Sequence, residues 1–254
     1  EDLSDIIPGG PDPRCARLQL AALEAAVTDA KAGAVDAIVT APWTKSLFDT
    51  IGAPALGHTE HLARLFGVGA DHVMMLAGDR LRVALVTTHL PLRDVADHIT
   101  VDDIVRTIRI TADELRASFG IPHPRIAVCG LNPHAGERGH MGREELEVIE
   151  PALARAGHHA EVSGPYPADT LFPRFRDAQP FDAVVAMYHD QGLIPLKYAH
   201  FGESANFTLG LPVPRTSVDH GSAWDIAGKG LADPASMRYA LEAAVRMVLC
   251  RRGS

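Results

Sequence analysis

Short apolar runs alternate with amphipathic segments along almost the whole chain. AVDAIVTAP (34–42), HVMMLA (72–77), LRVALVTTH (81–89), RIAVCG (125–130), FDAVVAM (181–187) and NFTLGLP (206–212) are each long enough for a strand. All are far short of the ~20 apolar residues of a membrane span. Between them lie helical patterns. Cys15 to Ala32 carries Leu18, Leu20, Leu23 and Val27 on one face and stops at Gly33. Thr59 reads as the N-cap of a helix over 60–66 that Gly67 closes. Thr100 to Phe119 opens with Asp102 and Asp103 and ends at Gly120. Glu144 to Ala156 reads as a helix bent near Pro151. Pro234 to Leu249 closes the chain, with Arg251 and Arg252 beyond its end. Gly78-Asp79-Arg80 separates two apolar runs as a hairpin would, so the sheet is expected to be mixed. The alternation predicts an α/β protein.

Composition narrows the class. The 254 residues suit one large domain or two small ones. The net charge is -8, from 24 Lys and Arg against 32 Asp and Glu. That argues against a nucleic-acid or anionic-membrane binder, which carries a basic surplus. It leaves room for a local basic pocket and a small anionic ligand. Cys15, Cys129 and Cys250 are far apart and form no CxxC pair, as expected of reduced thiols in the cytoplasm. The opening EDLSDIIPGG lacks the basic-then-apolar layout of a secretion signal.

The chemistry-bearing residues follow the strands. TAPWTK, TTHLPLR, GLNPHAGE and YHDQG each begin where an apolar pattern ends. Carboxyl ends of strands line the ligand crevice of open α/β sheets, so these four loops are expected to face one cleft. Of thirteen histidines, His89, His134 and His189 sit at or just past strand ends. Three imidazoles with one open position make a catalytic metal site. The spacing alone fits satisfied strand-end histidines equally well. His58-Thr59-Glu60 lies at a helix start, where backbone N–H groups favour an anion or where Thr59 simply caps the helix. Lys197, Asn206 and Arg215 flank the last strand pattern and suit a phosphate or carboxylate clamp. In VDHGSAWDIAGKG, small residues allow close backbone approach to a ligand, and Asp225 suits a ribose diol.

Six of these stretches together resemble one family. They are GHTE (57–60), TTHLPLRD (87–94), GLNPHAGE (130–137), PADTLF (167–172), MYHDQGLIPLK (187–197) and SVDHGSAWDIAGKG (217–230). In this order they resemble the 4-hydroxythreonine-4-phosphate dehydrogenases of pyridoxal 5′-phosphate biosynthesis, from about Gly33 to the C-terminus. The last stretch also resembles the adenosine-binding loop of isopropylmalate dehydrogenases.

The resemblance implies a two-domain α/β/α fold like that of isocitrate dehydrogenase. The expected division is a cofactor domain of 1–67 plus 216–254, and a substrate, metal and dimerisation domain of 68–215. The family opens with a strand and a Gly-Asp-Pro-x-Gly-Ile-Gly loop that this sequence does not show, so the N-terminal portion is expected to be missing. The resemblance further implies a homodimer with active sites and metal ligands shared across the interface. The divalent metal, zinc or else Co, Mg, Ni or Mn, would rest on His89, His134 and His189. Substrate would rest on His58, Thr59, Lys197, Asn206 and Arg215. NAD would meet His220, Gly221 and Asp225, with Asp225 disfavouring a 2′-phosphate. Lys197, Asp169 and Asp190 are the expected catalytic side chains. The implied reaction oxidises 4-phosphooxy-L-threonine at C3 and then decarboxylates it to 3-amino-2-oxopropyl phosphate. Competing expectations are a D-threonate or D-erythronate 4-phosphate dehydrogenase of the same family, a three-His metal hydrolase, and a non-catalytic homologue.

Overall fold

The computed structural model describes residues 4–52, 57–200 and 202–253. Its eight strands are β1 (Ile38–Thr40), β2 (Val73–Gly78), β3 (Arg82–Leu85), β4 (Arg125–Cys129), β5 (Glu161–Tyr166), β6 (Ala183–Ala186), β7 (Ser204–Leu209) and β8 (Arg215–Ser217). They form one sheet in the order β1-β8-β7-β2-β3-β6-β4-β5. The sheet is mixed, as the hairpin signal requires: β2 is antiparallel to both β3 and β7, and β7 is antiparallel to β8. The β1–β8, β3–β6, β4–β6 and β4–β5 pairs are parallel. This continuous sheet runs through both expected domain units.

Among the described residues, nine α-helices accompany the strands: α1 (Pro13–Lys31), α2 (Lys45–Asp49), α3 (His58–Phe66), α4 (Val95–His98), α5 (Val101–Phe119), α6 (Glu150–Ala156), α7 (Ala168–Leu171), α8 (His189–His200) and α9 (Ala235–Gly253). The period-two rule sorts the core between two faces. Val73, Met75 and Ala77 of β2 join Phe207 and Leu209 of β7 in a cluster with Ile104, Ile108 and Leu115 of α5 and Ala243 and Met247 of α9. Leu76 points the other way, into a cluster with Leu171, Leu193 and Leu196 from α7 and α8. The result is a three-layer α/β/α packing.

Most helix signals hold. Thr100 caps α5 by accepting from the Asp103 amide, and Gly120 ends it in the left-handed region at φ 66. The bend near Pro151 is a single π turn, Glu145–Ile149, feeding α6. Three expectations are corrected. The N-cap of α3 is Gly57 rather than Thr59, so the helix begins two residues earlier than the Thr59 signal predicts. Helix α9 runs on through Arg251 and Arg252, because Arg251 is held in its last turn by a buried ion pair to Glu114. The four polar loops do not all leave one sheet edge. Those after β3, β4 and β6 do, but β1 runs opposite to these strands, so TAPWTK departs from the other end.

Helix α8 lies close on the sheet because Gly192 faces it. A Cβ there would sit 2.4 Å from Val83 Cγ1 and 3.0 Å from the Ala186 Cβ. Gly192→Ala is therefore expected to destabilise the fold by roughly 1–3 kcal/mol through overpacking. Urea unfolding of the variant checks this; an unchanged midpoint would show that α8 is not seated as described.

Candidate active site

A pocket of about 430 Å³ opens over the sheet face that α5 and α9 leave uncovered. Its floor is built from alternate residues of neighbouring strands: Met74 on β2, Asn206 on β7, and Arg215 and Ser217 on β8. His58, Thr59 and Glu60 at the start of α3 form one wall, and Trp43, Lys45 and His89 form others. The loop after β1 thus reaches this pocket despite leaving the opposite sheet end.

Arg215 dominates the floor. It is 2% exposed and has no carboxylate partner. Its Nη1 donates to Thr208 Oγ1 at 2.9 Å and its Nη2 to Thr40 Oγ1 at 2.7 Å. Its Nε is buried with no hydrogen-bond partner, as is Asn206 Oδ1. Loss of water pushes the Arg215 pKa down to about 10, with Glu60 opposing the shift, so it stays cationic at neutral pH. A buried charge with no ion-pair contact costs several kcal/mol. This pocket is therefore charged in advance for an anion.

The adjoining wall agrees in sign. Gly57 caps α3 without a side-chain hydrogen bond of its own, and the Glu60 carboxylate folds back beside it, 2.4 Å from where a Gly57 Cβ would sit. Thr59 Oγ1 lies 3.2 Å from Thr208 Oγ1, which links the helix start to the hydroxyl that holds Arg215. His58 stacks on Trp43, with ring centroids 3.8 Å apart and planes 15° apart. Burial, then Arg215, then His61 lower its pKa to about 3. His58 is therefore a neutral donor or acceptor, and the positive charges lining the pocket are those of Arg215, Lys45 and Arg106.

The three singled-out histidines divide. His89 and His189 stand together, with ring centroids 5.7 Å apart. The packing around His89 lowers its pKa, and Lys45 adds to this. His189 Nδ1 lies 2.7 Å from Asp190 Oδ1, an arrangement that orients the ring and leaves Nε2 for a ligand. His134 lies elsewhere, lining a groove of about 1020 Å³ with Asp169 and Asp190. Among the described residues of one chain, no three His, Cys, Asp or Glu side chains gather to hold a metal.

His134 sits in an unusual turn. Residues 134–138 all have positive φ, from 43° to 73°. Left-handed backbone costs roughly 1–2 kcal/mol per non-glycine residue, so the surroundings must enforce it. Glu145 does so. Buried in the π turn, it accepts from the Leu131 amide at 2.8 Å, the Asn132 amide at 2.7 Å and Asn132 Nδ2 at 3.0 Å.

The remaining expected residues are placed as follows. Lys197, on α8, donates to the Asp219 carbonyl at 2.8 Å and does not line the pocket. His220 and Gly221 line its rim, with open space beside the Gly221 Cα. Asp225 is exposed on a short turn, Trp224–Ile226, outside the pocket lining. Sequence reasoning missed Thr40, Thr208, Trp43, Lys45 and Glu145. The alternation of β7 could have flagged Thr208 beside Asn206, but nothing local marks Glu145.

Three layers around a mixed sheet, with a pocket floored by a buried arginine on one face, define an α/β subunit with a site for an anionic ligand. Residues 2–244 match the family described as pyridoxal phosphate biosynthetic protein PdxA, and the chain belongs to that family. The 4-hydroxythreonine-4-phosphate dehydrogenase of Burkholderia vietnamiensis is 56% identical over 243 residues, covering 94% of this chain and 73% of that protein. A crystal structure of 4-hydroxythreonine-4-phosphate dehydrogenase from Klebsiella pneumoniae superposes with TM-score 0.87 at 42% identity, covering 98% of this chain and 75% of the other. A terephthalate 1,2-cis-dihydrodiol dehydrogenase from Burkholderia xenovorans is similar at TM-score 0.69 and 33% identity, covering 96% and 77%. An isocitrate dehydrogenase from Methylococcus capsulatus shares the fold at TM-score 0.53 and 18% identity, covering 90% and 72%.

The His58 environment gives a pH prediction. Unfolded, an ordinary histidine near 6.5 binds a proton that folded His58 refuses until about 3. The unfolded state therefore binds more protons in that window, and stability falls as pH drops through it. His58→Gln is expected to flatten the slope of stability against pH between about 6.5 and 4. An unchanged slope in urea midpoints would contradict the buried neutral ring.

Proposed function

We propose that this chain is an NAD-dependent, divalent-metal-dependent dehydrogenase. Its substrate is 4-phosphooxy-L-threonine, oxidised at C3 and decarboxylated to 3-amino-2-oxopropyl phosphate for pyridoxal 5′-phosphate synthesis. The observation that carries this reading is Arg215, a buried cation with no ion-pair contact and an unpartnered Nε, in one pocket with a helix start. The family membership and the names of the relatives support it.

His58, Thr59, Asn206 and Arg215 bind the substrate phosphate in this reading. Arg215 supplies the charge, and its unpartnered Nε donates toward the ligand. Neutral His58 and the α3 amides donate further hydrogen bonds. Lys197 lies outside the pocket lining, held by the Asp219 carbonyl, and in this reading reaches the substrate only by leaving that carbonyl. The oxidation releases a proton from the C3 hydroxyl, and loss of CO₂ requires a proton at C2; Asp169, Asp190 and Lys197 are the candidates to move them. His220, Gly221 and Asp225 hold the cofactor, for which the open rim at Gly221 leaves room.

The metal donors fit as a shared set. His89 and His189 present two imidazoles in one chain, and His134 of a second copy completes three. When bound, a divalent cation supplies Lewis-acid stabilisation of the oxygen being oxidised, and NAD⁺ supplies the hydride acceptor. The wide groove beside His134 supports pairing of copies. It exposes Ile194 (66%) and Tyr198 (94%), one turn apart on α8. No helix among the described residues is long and apolar enough to cross a membrane. Cytoplasmic residence is part of this reading.

Two experiments test it. Arg215→Lys or Arg215→Met is expected to raise KM for the phosphorylated substrate by roughly 30–100-fold, since a charge-assisted hydrogen bond contributes about 2–3 kcal/mol. KM for NAD should stay within about twofold. Equal rises for both ligands would remove Arg215 from the phosphate site. Mixing the separately inactive His89→Ala and His134→Ala variants after subunit exchange should restore about a quarter of wild-type activity, because one site in each heterodimer is intact. No recovery would mean that all three ligands come from one chain.

A further inference from the structure

A second, smaller cavity lies on the opposite sheet face. It measures about 220 Å³ and sits between the β2–β3 hairpin, the end of α5 and the middle of α9. Phe207 lines it, while the preceding residue, Asn206, lines the Arg215 pocket. Successive strand residues point to opposite faces, so the two sites are separate.

The chemistry of this cavity is lopsided. Arg82 and Arg246 both face it, and Asp79 is the one carboxylate in its lining. That carboxylate is engaged, since the Tyr239 hydroxyl donates to it at 3.0 Å. Burial and this hydrogen bond raise the Tyr239 pKa, so the phenol remains the donor. The guanidinium of Arg82 lies 5.3 Å from the Phe119 ring centroid, and that of Arg246 lies 5.5 Å from the Tyr239 centroid. Stacking uses the faces of the guanidiniums and leaves their N–H edges for an acceptor. Arg82 uses one N–H, Nη1 to the Asp182 carbonyl at 3.2 Å. Arg246 makes no hydrogen bond or ion pair among the described residues. Burial lowers the Arg82 pKa, so this charge is held at a cost. Asp182 cannot neutralise it fully, because its carboxylate accepts from the Arg125 amide at 2.8 Å and pairs with the Arg125 guanidinium at 3.2 Å.

The floor is apolar, formed by Phe119, Phe207 and Met247. At ~30 Å³ per water-sized volume, the cavity holds roughly seven such volumes, the size of one ring with a substituent. Two guanidiniums against one carboxylate leave one positive charge to balance. We propose that this cavity is a binding site for a small monocarboxylate with an apolar, ring-sized body. Its carboxylate bridges the N–H edges of Arg82 and Arg246, and its body rests on Phe119 and Phe207.

Calorimetric titration of the intact protein with benzoate tests this. Saturable binding at one equivalent per chain is expected, with benzamide at least about tenfold weaker. Arg246→Gln, at an exposed position, should weaken benzoate about tenfold or more. Ala243→Val, which narrows the cavity without changing charge, should weaken it as well. Saturating inorganic phosphate should leave benzoate affinity unchanged. The proposal is overturned by no saturable benzoate binding, by equal binding of benzamide, or by displacement of benzoate with phosphate. An Arg246→Gln variant that binds normally overturns it too. So does an Ala243→Val variant that binds normally, because the contact would then be a surface charge and not the cavity.

Discussion

The site depends on a guanidinium held away from water with no acid in ion-pair contact; Glu60 shares its pocket but does not bond it. Arg215 is fixed by two threonine hydroxyls, one from β1 and one from β7, on either side of its own strand β8. Hydroxyl dipoles steer the side chain but do not neutralise it. A surface arginine would be screened and mobile; this one is neither. The fold thus keeps an electrostatic deficit on one sheet face, and the start of α3 adds partial positive charge beside it. An anionic ligand supplies what the protein withholds, a form of preorganisation that costs no rearrangement on binding.

The second theme is division of labour between the sheet face and its edge. The anion pocket uses side chains that alternate along β2, β7 and β8, so their spacing is set by strand register. The histidines leave the edge on loops, where geometry is imposed by neighbouring groups. Glu145 holds the His134 turn in a left-handed conformation, and Asp190 orients His189. His134 remains apart from the other two within one chain, so in the proposed reading a three-imidazole metal site needs a second copy.

Much of this was legible in the sequence. The α/β class, the hairpin between β2 and β3, and the capping of α5 follow from local patterns and appear in the structure. Helix α8 was not legible. Gly192 and Pro195 inside it make MYHDQGLIPLK read as a loop, yet packing against β3 and β6 holds it helical. The N-cap of α3 shifted from Thr59 to Gly57 because Thr59 is used against Thr208 instead. Strand direction was also beyond local pattern, and it sends TAPWTK from the opposite sheet end. In the site, Asn206 and Arg215 could be picked as polar residues near a strand, but their burial and missing partners needed the fold. Glu145, fifteen residues after Gly130, has no signal except its contacts.

A crystal structure of the protein with 4-phosphooxy-L-threonine bound tests the central claim most directly. The account predicts the phosphate over the start of α3, within hydrogen-bond distance of Arg215 Nε, with the C3 hydroxyl turned toward His89 and His189. A phosphate seated away from Arg215, with its Nε still unpartnered, would contradict it.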